Sequence, residues 1–196
     1  MKQYERPRDK ITSFLRKGAI IRVKKGIYVF GPKYARRLFS REILANMIYG
    51  PSCISLDFAL HYHGLIPERV EAVTSVTSGR GRRFVTPVGL FIYRHIPPGA
   101  FPIGIDQIPL EGGRSFLMAV PEKALADKIQ DERGTAIRSQ DDIRRYLTQN
   151  LRIDAEALEK LRTDTLSFLA ERYGSRKLRL LIKVVGRLQQ EGARHE

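Results

Sequence analysis

Apolar positions recur with different periods along the chain. Residues 1–38 show helical spacing followed by two short β-prone runs, as expected of a helix and a hairpin. Residues 39–120 pass from helical to strand-like periodicity, and the final third returns to helical spacing. This order predicts an α+β fold, with a partial winged-helix unit over residues 1–38 and an α+β domain over residues 39–196. In that domain helices flank an antiparallel sheet, and the last third is helical.

The first unit is predicted to be a short helix that runs directly into a hairpin. Residues 8–17 carry apolar side chains at helical spacing, and Gly18 follows where a helix would end. Residues 19–23 and 27–30 are rich in Ile and Val and flank a Lys-Lys-Gly tip, whose glycine suits a tight turn. A helix leading into such a hairpin is typical of the last helix and wing of a winged helix-turn-helix, the parts that contact DNA.

The middle of the chain begins with two predicted helices, at residues 40–49 and 55–63, each preceded by or starting with serine and followed by glycine. Strands are then indicated by runs of Val, Thr, Ile and aromatic residues. The strand candidates are residues 70–77, 83–86, 90–96 and 115–120. The first three are joined by short connections and predict an antiparallel meander.

Charge is concentrated at the start of the chain. The total is +14, and residues 1–41 hold 13 Lys and Arg residues against Glu5 and Asp9, which gives this segment a net charge of +11. Residues 42–150 are neutral, with 12 basic and 12 acidic residues. A local excess of cations favours a surface that binds a polyanion, because phosphate binding needs several cations along one backbone track.

Eight residues of this basic segment are predicted to contact DNA. Polar residues of the helix face outward, where base edges would lie, and the lysines at the hairpin tip would meet phosphates or enter a minor groove. These residues are Lys10, Thr12, Ser13, Arg16, Lys17, Arg22, Lys24 and Lys25.

A second cationic segment lies between two predicted strands. Arg80, Arg82 and Arg83 stand among glycines, and such a flexible loop brings guanidinium groups onto phosphate or carboxylate oxygens once it is ordered. Two interpretations remain open. The loop binds a nucleic acid or an acidic protein surface, or it is an exposed loop without a ligand.

The sequence favours a protein that is not an enzyme and holds no metal or cofactor. His61 and His63 are two residues apart on a predicted helix and point to different faces, and the single cysteine, Cys53, offers no metal cluster. A lone cysteine and the absence of any signal-peptide-like or membrane-spanning apolar run predict a soluble cytoplasmic protein.

One arrangement suggests an enzyme. Glu122, Lys123 and Asp127 lie near the start of a predicted helix, and a nuclease or nucleotidyltransferase uses carboxylates and a lysine of this kind with a metal ion. Acidic residues in a first helical turn and an exposed lysine are also ordinary helix chemistry, and we favour this interpretation.

Five segments together resemble a known family. They are residues 16–28 (RKGAIIRVKKGIY), 54–68 (ISLDFALHYHGLIPE), 74–77 (TSVT), 84–96 (FVTPVGLFIYRHI) and 116–127 (FLMAVPEKALAD). In this order they are similar to the AbiEi antitoxin family of bacterial type IV toxin-antitoxin systems.

The resemblance implies a noncatalytic antitoxin that is also a transcriptional autoregulator. Its winged-helix part would repress its own promoter through inverted repeats, and its C-terminal domain would counteract a nucleotidyltransferase-like toxin encoded beside it. The family's last winged-helix helix corresponds to residues 9–17 and its wing to residues 19–30. Only residues 1–8 precede this helix, where family members have two more helices. We therefore expect the unit to dock on the rest of the chain or on another subunit, and to bind phosphates with little sequence preference.

A second class of function is consistent with the same residues. The neutral body is then a protein-interaction module that has lost specific DNA binding and engages the toxin directly, with residues 80–83 contributing to the contact.

Overall fold

The predicted N-terminal helix is present and ends where its glycine requires. In the computed structural model, which describes residues 7–194, helix α1 spans Pro7–Arg16. Gly18 adopts a φ of 65°, and the Ala19 N–H donates to the Phe14 carbonyl at 2.9 Å, which closes the last turn. Residues 1–6, which belong to the predicted winged-helix unit, and residues 195 and 196 lie outside the described part.

The hairpin follows α1 at once and docks on the body. Strands β1 (Ile20–Lys24) and β2 (Ile27–Phe30) pair antiparallel, and Gly26 has a φ of 87° at the turn. Val23 is buried in the same hydrophobic core as the rest of the chain, and Ile27 and Val29 pack against that core. The expectation that this unit docks on the rest of the chain is thus confirmed for the hairpin.

A six-stranded sheet forms the centre of the body. Its strands are β3 (Cys53–Ile54), β4 (Val73–Thr77), β5 (Arg82–Thr86), β6 (Gly89–His95), β7 (Ile105–Leu110) and β8 (Arg114–Ala119). They lie in the order β5-β6-β4-β3-β8-β7. The pairs β5/β6, β3/β4 and β7/β8 are antiparallel, whereas β4/β6 and β3/β8 are parallel. The predicted α+β class is confirmed, with antiparallel pairs in the majority among the described strands.

The predicted meander is wrong in its strand order. β4 lies beside β6 and runs parallel to it, while β5 lies at the outer edge of the sheet. All five residues of β4 are buried, so this strand needs neighbours on both sides and helices over both faces. β5 has exposed residues along most of its length, which suits an edge strand.

Helices cover both faces of the sheet and form the last third of the chain. They are α2 (Arg41–Ile48), α3 (Leu56–Tyr62), α4 (Pro121–Asp131), α5 (Gln140–Arg145), α6 (Ala155–Glu159), α7 (Thr163–Tyr173) and α8 (Arg176–Gly192), with a π-helical turn at Tyr146–Asn150. Among residues 7–194, none of the helices has the length and apolar character that a membrane span demands.

Two contacts define which face each helix covers. The Tyr93 hydroxyl of β6 donates to the Ala45 carbonyl of α2 at 2.6 Å. The next residue of β6, Arg94, pairs with Asp131 of α4 at 3.2 Å. Because successive strand residues point to opposite faces, α2 and α4 cover opposite faces of the sheet.

Gly31 closes the hairpin at a point where a side chain has no room. Its N–H donates to the Ala19 carbonyl at 2.9 Å, and a Cβ built on Gly31 would lie 1.9 Å from the Gly18 carbonyl oxygen. The backbones of the helix end and of the second strand therefore approach more closely than any L-residue allows.

We expect Gly31→Ala to destabilise the helix and hairpin by about 1–3 kcal/mol, the usual cost of overpacking. Gly186→Ala is the matched control, because Gly186 lies within α8 with nothing near its Cβ position, and alanine there should stabilise by about 0.5–1 kcal/mol. Amide exchange of residues 20–30 measures the first effect and urea unfolding the second. Unchanged exchange in Gly31→Ala would contradict the close approach.

Candidate nucleic-acid interface

The polar side of α1 is exposed over most of its length. Thr12, Arg16 and Lys17 are exposed and Ser13 is half-buried. These four predicted residues all lie in the second half of α1 or directly after it. The Thr12 hydroxyl donates to the Arg8 carbonyl one turn back, which leaves its lone pairs available as acceptors. Lys10 is half-buried, and its ammonium lies 5.2 Å from the centre of the Phe14 ring.

The hairpin presents a cationic outer face. Arg22 lies opposite Tyr28 in the ladder, so their side chains share a face, and Val23 is buried in the core. Arg22 and Lys25 are both exposed. The arrangement leaves Arg16, Lys17, Arg22 and Lys25 as the predicted cations with the most open surroundings.

Lys24 requires a correction. It lies at the hairpin tip, as predicted, but it does not point only into solvent, because its ammonium donates to the Ile48 carbonyl of α2 at 2.7 Å. The same ammonium lies 5.0 Å from the centre of the Phe84 ring in β5. A carbonyl at a helix C-terminus and an aromatic face are both favourable partners for a cation, so Lys24 holds the hairpin on the body.

This contact brings the two cationic segments of the sequence together. Phe84 belongs to β5, which begins at Arg82, so the hairpin lies beside this strand. Arg82 and Arg83, predicted in a loop with Arg80, are thus strand residues, and the loop consists of residues 78–81. His95 Nδ1 makes a 2.8 Å hydrogen bond to the Gly79 carbonyl, and the Gly79 N–H donates to the Thr77 hydroxyl at 3.0 Å. The loop is therefore anchored at its start, while Arg80, Arg82 and Arg83 are exposed.

Adjacent residues of β5 direct their cations to opposite faces of the sheet. Arg82 lies opposite Tyr93 in the ladder and so shares the α2 face with the hairpin. Arg83 lies opposite Ile92 and shares the α4 face with Arg94. The edge strand thus joins two cationic surfaces, one next to the hairpin and one beside α4.

The possible enzyme-like set is buried and engaged in structural contacts. Lys123 is fully buried, and its ammonium donates to the Ala100 carbonyl at 3.1 Å and lies 3.4 Å from Asp127 Oδ1. The hydroxyls of Ser55 and Tyr173 donate to Asp127 at 2.7 and 2.5 Å. Burial raises the pKa of Asp127, while Lys123 and the two hydroxyl donors act in the opposite direction.

The carboxylate of Glu122 points away from this network. Its Oε1 accepts from the backbone N–H of Arg162 at 2.9 Å and from the Arg162 guanidinium at 3.2 Å. Within the described residues, no three His, Cys, Asp or Glu side chains come together as a metal site would require. The expectation that lysine lies on an exposed helix face was wrong, since both Lys123 and Asp127 are inside the protein.

His63 and Cys53 also have packing environments. His63 Nε2 makes a 2.8 Å hydrogen bond to the Ala119 carbonyl, whereas His61 is exposed. Cys53 is buried in β3, and desolvation raises the pKa of its thiol, which disfavours the nucleophilic thiolate.

Comparison with known proteins adds no assignment. No protein-family model matches the chain, and no curated protein is similar to it at a significant level.

The two tip lysines form a matched pair for testing the docking contact. We expect Lys24→Gln to raise amide exchange across β1 and β2, because it removes a charge-assisted hydrogen bond worth about 1.5–3 kcal/mol. Lys25→Gln should leave the exchange rates unchanged, since Lys25 is exposed. Equal effects of the two substitutions would show that Lys24 does not hold the hairpin.

The buried pair of Lys123 and Asp127 predicts that one substitution destabilises the protein more than two substitutions do. Lys123→Met should lower the free energy of unfolding by about 3–5 kcal/mol, because it leaves Asp127 as an uncompensated buried charge. Lys123→Met with Asp127→Asn should recover most of the loss, since the amide oxygen can accept from Tyr173 at the position of Oδ1 and the amide N–H can donate to the Ser55 hydroxyl at the position of Oδ2. Urea unfolding followed by circular dichroism measures both, and a double variant no better than the single one would contradict this account.

Proposed function

We propose that this protein is a noncatalytic antitoxin and DNA-binding transcriptional autoregulator of a bacterial type IV toxin-antitoxin operon, acting against a nucleotidyltransferase-like toxin. The observation that carries the DNA-binding half is the geometry of the helix and hairpin. Exposed cations line both elements, and the hairpin is anchored to the body by one buried valine and by Lys24. The antitoxin half is supported by the similarity of five sequence segments to the AbiEi family.

The anchoring leaves the polar side of α1 accessible. The hairpin contributes Val23 to the core and packs Ile27 and Val29 against it, whereas, within the described residues, no side chain of α1 joins that core. A helix of 10 residues is about 15 Å long, enough to lie in a major groove with a wing beside it. Arg16 and Lys17 then lie close to the phosphate backbone at the helix end.

Phosphate contacts should dominate the affinity. Four exposed cations, Arg16, Lys17, Arg22 and Lys25, can each replace a counterion on DNA. Four such contacts give a slope of about −3 to −4 when the logarithm of the binding constant is plotted against that of the salt concentration. Strand β5, which begins at Arg82, lies beside the hairpin, so Arg82 extends the same surface.

The test uses two triple charge reversals. Arg16→Glu, Arg22→Glu and Lys25→Glu together should weaken binding to the protein's own promoter by about two orders of magnitude and flatten the salt slope by about 3. The control reverses three exposed cations of α8, through Arg179→Glu, Lys183→Glu and Arg187→Glu, and changes the net charge equally. Fluorescence anisotropy at several salt concentrations measures both.

Each outcome of this titration has a definite meaning. Equal weakening by the two triple variants would show that only net charge matters and would remove the helix and hairpin from the interface. Equal affinity of the unaltered protein for its promoter and for unrelated DNA would remove the regulator half of the proposal.

A second candidate function is a protein-interaction module that no longer binds a specific operator. It is favoured by large apolar side chains that are exposed around α2, where Leu38 is 85% and Met47 60% accessible. Large apolar side chains that are left in solvent are typical of partner surfaces where they form one patch.

Growth rescue separates the two candidates. When the full chain is co-expressed with the product of the adjacent gene, the triple variant of the helix and hairpin should still rescue growth if the body engages the toxin. Leu38→Glu with Met47→Glu should then abolish rescue while promoter binding persists. If instead the triple variant fails to rescue growth and Leu38→Glu with Met47→Glu still rescues it, control of the toxin depends on the DNA-binding unit.

A further inference from the structure

The central sheet has two edge strands, and their free backbone groups differ. β7 forms one edge and β5 the other. In β7, Pro109 has no N–H, and the Gln107 N–H donates to the Asp106 carboxylate at 2.7 Å. Gln107 and Pro109 are two positions apart, so their backbone groups point to the same side, and proline in a strand faces the free edge. The N–H groups on the free side of β7 are therefore removed or already bonded, as is usual for a protected edge.

The edge of β5 has no such protection. The strand, Arg82–Thr86, contains no proline. Within residues 7–194, no backbone hydrogen bond other than those of the β5/β6 ladder involves this strand. Val85 in its middle is 78% accessible, so no other element covers it. The N–H and C=O groups on the outer side of β5 are thus available to another strand.

Arginine side chains lie on both faces of this edge. Arg82 shares the α2 face and Arg83 the α4 face, and both are exposed. On the α4 face, a cleft of about 640 Å³ is lined by Arg83, Arg94 and Arg133. Among the described residues that line it, only Asp131 is acidic, and its carboxylate pairs with Arg94 at 3.2 Å. A side chain next to β5 therefore meets an excess of positive charge on either face.

Charge can also protect an edge strand, but the two edges of this sheet differ in what they exclude. Missing and bonded N–H groups close β7 to any strand. Arginine repels a cationic segment and leaves β5 open to an acidic one, which gains ion pairs in addition to backbone hydrogen bonds. Val85 offers such a segment an apolar contact as well.

We propose that β5 binds an acidic, extended segment of a partner protein, which joins the six-stranded sheet as a further strand. Consecutive residues of a strand point to opposite faces, so one carboxylate pairs with Arg82 on the α2 face and the next with Arg83 on the α4 face. The residue opposite Val85 lies two positions beyond the second carboxylate. The matching segment thus has two acidic residues, one residue of any kind and one β-branched apolar residue, in either chain direction.

Three labelled octapeptides test the proposal with the full chain. The glutamate peptide, Thr-Val-Thr-Glu-Glu-Thr-Val-Thr, presents the same side chains in both directions and so fits either orientation of the added strand. The lysine peptide has lysine in place of both glutamates. The methylated peptide keeps both glutamates but carries methyl groups on their backbone nitrogens. It loses a ladder hydrogen bond in any register, because one of two consecutive N–H groups faces β5.

Fluorescence anisotropy measures the affinities. We expect the glutamate peptide to bind at least about tenfold more tightly than either of the other two. Arg82→Glu with Arg83→Glu should weaken its binding by at least about tenfold and make the lysine peptide the preferred ligand, a gain that also shows the variant to be folded. The matched control, Arg179→Glu with Arg187→Glu, reverses two exposed arginines of α8 and should leave both affinities unchanged.

Amide exchange locates the bound segment. The glutamate peptide should slow exchange in β5, at residues 82–86, and leave β7, at residues 105–110, unchanged. Slower exchange in β5 when the concentration of the chain alone is raised would instead identify a second copy as the strand that binds there.

Four results would overturn the proposal. Equal binding of the glutamate and methylated peptides would show that the arginines attract anions, including nucleic acids, without strand addition. Equal effects of the β5 and α8 variants would show that only net charge matters. Unchanged exchange in β5 on peptide binding, or protection by a second copy, would also contradict it. Arg82 borders the surface proposed for DNA, but these titrations contain no DNA, so the failure of either proposal leaves the other untouched.

Discussion

The buried carboxylate of Asp127 joins more of the structure than any other side chain discussed above. It accepts hydrogen bonds from Ser55, which follows β3, and from Tyr173, at the end of α7, and it pairs with Lys123 one turn earlier on α4. A buried carboxylate without donors is costly, so the sheet, α4 and α7 must keep the positions that satisfy it.

The role of Ser55 is determined by a residue that is distant in the sequence. A serine before a helix usually caps it, as Ser40 does by accepting from the Ile43 N–H at 3.1 Å. The Ser55 hydroxyl donates to Asp127 instead, and the Thr74 hydroxyl of β4 accepts the Phe58 N–H at 3.0 Å. The helix start is therefore completed by a neighbouring strand, and the strained φ of Leu56 accompanies this arrangement.

Features determined by near neighbours in the chain could be predicted from the sequence. The end of α1 at Gly18, the hairpin turn at Gly26 and the Ser40 cap depend on residues only a few positions apart. β7 was missed because Pro109 and the polar residues around it conceal the strand pattern, although proline is acceptable in an edge strand. β3 was missed because two residues carry no periodicity.

Features determined by distant residues could not be predicted. The parallel pairing of β4 with β6 depends on which strands the helices of the whole domain bury. The role of Lys24 depends on Ile48 and Phe84, which lie 24 and 60 positions away. Glu122, Lys123 and Asp127 were interpreted as ordinary helix chemistry with an exposed lysine, because the sequence could not show that Lys123 and Asp127 lie inside the protein or that Glu122 turns toward Arg162. The sequence likewise could not show that Arg83, Arg94 and Arg133 line one cleft, because these arginines come from three separate segments.

The position of β5 at the edge of the sheet has a consequence for self-association. Its free edge carries Arg82 and Arg83 and also the exposed Val85, so like charges oppose the approach of a second copy along this strand. Bound DNA would neutralise that repulsion while leaving the backbone groups of the edge unpaired. If these arginines bind a polyanion as proposed, association along this edge would therefore depend on whether the polyanion is bound.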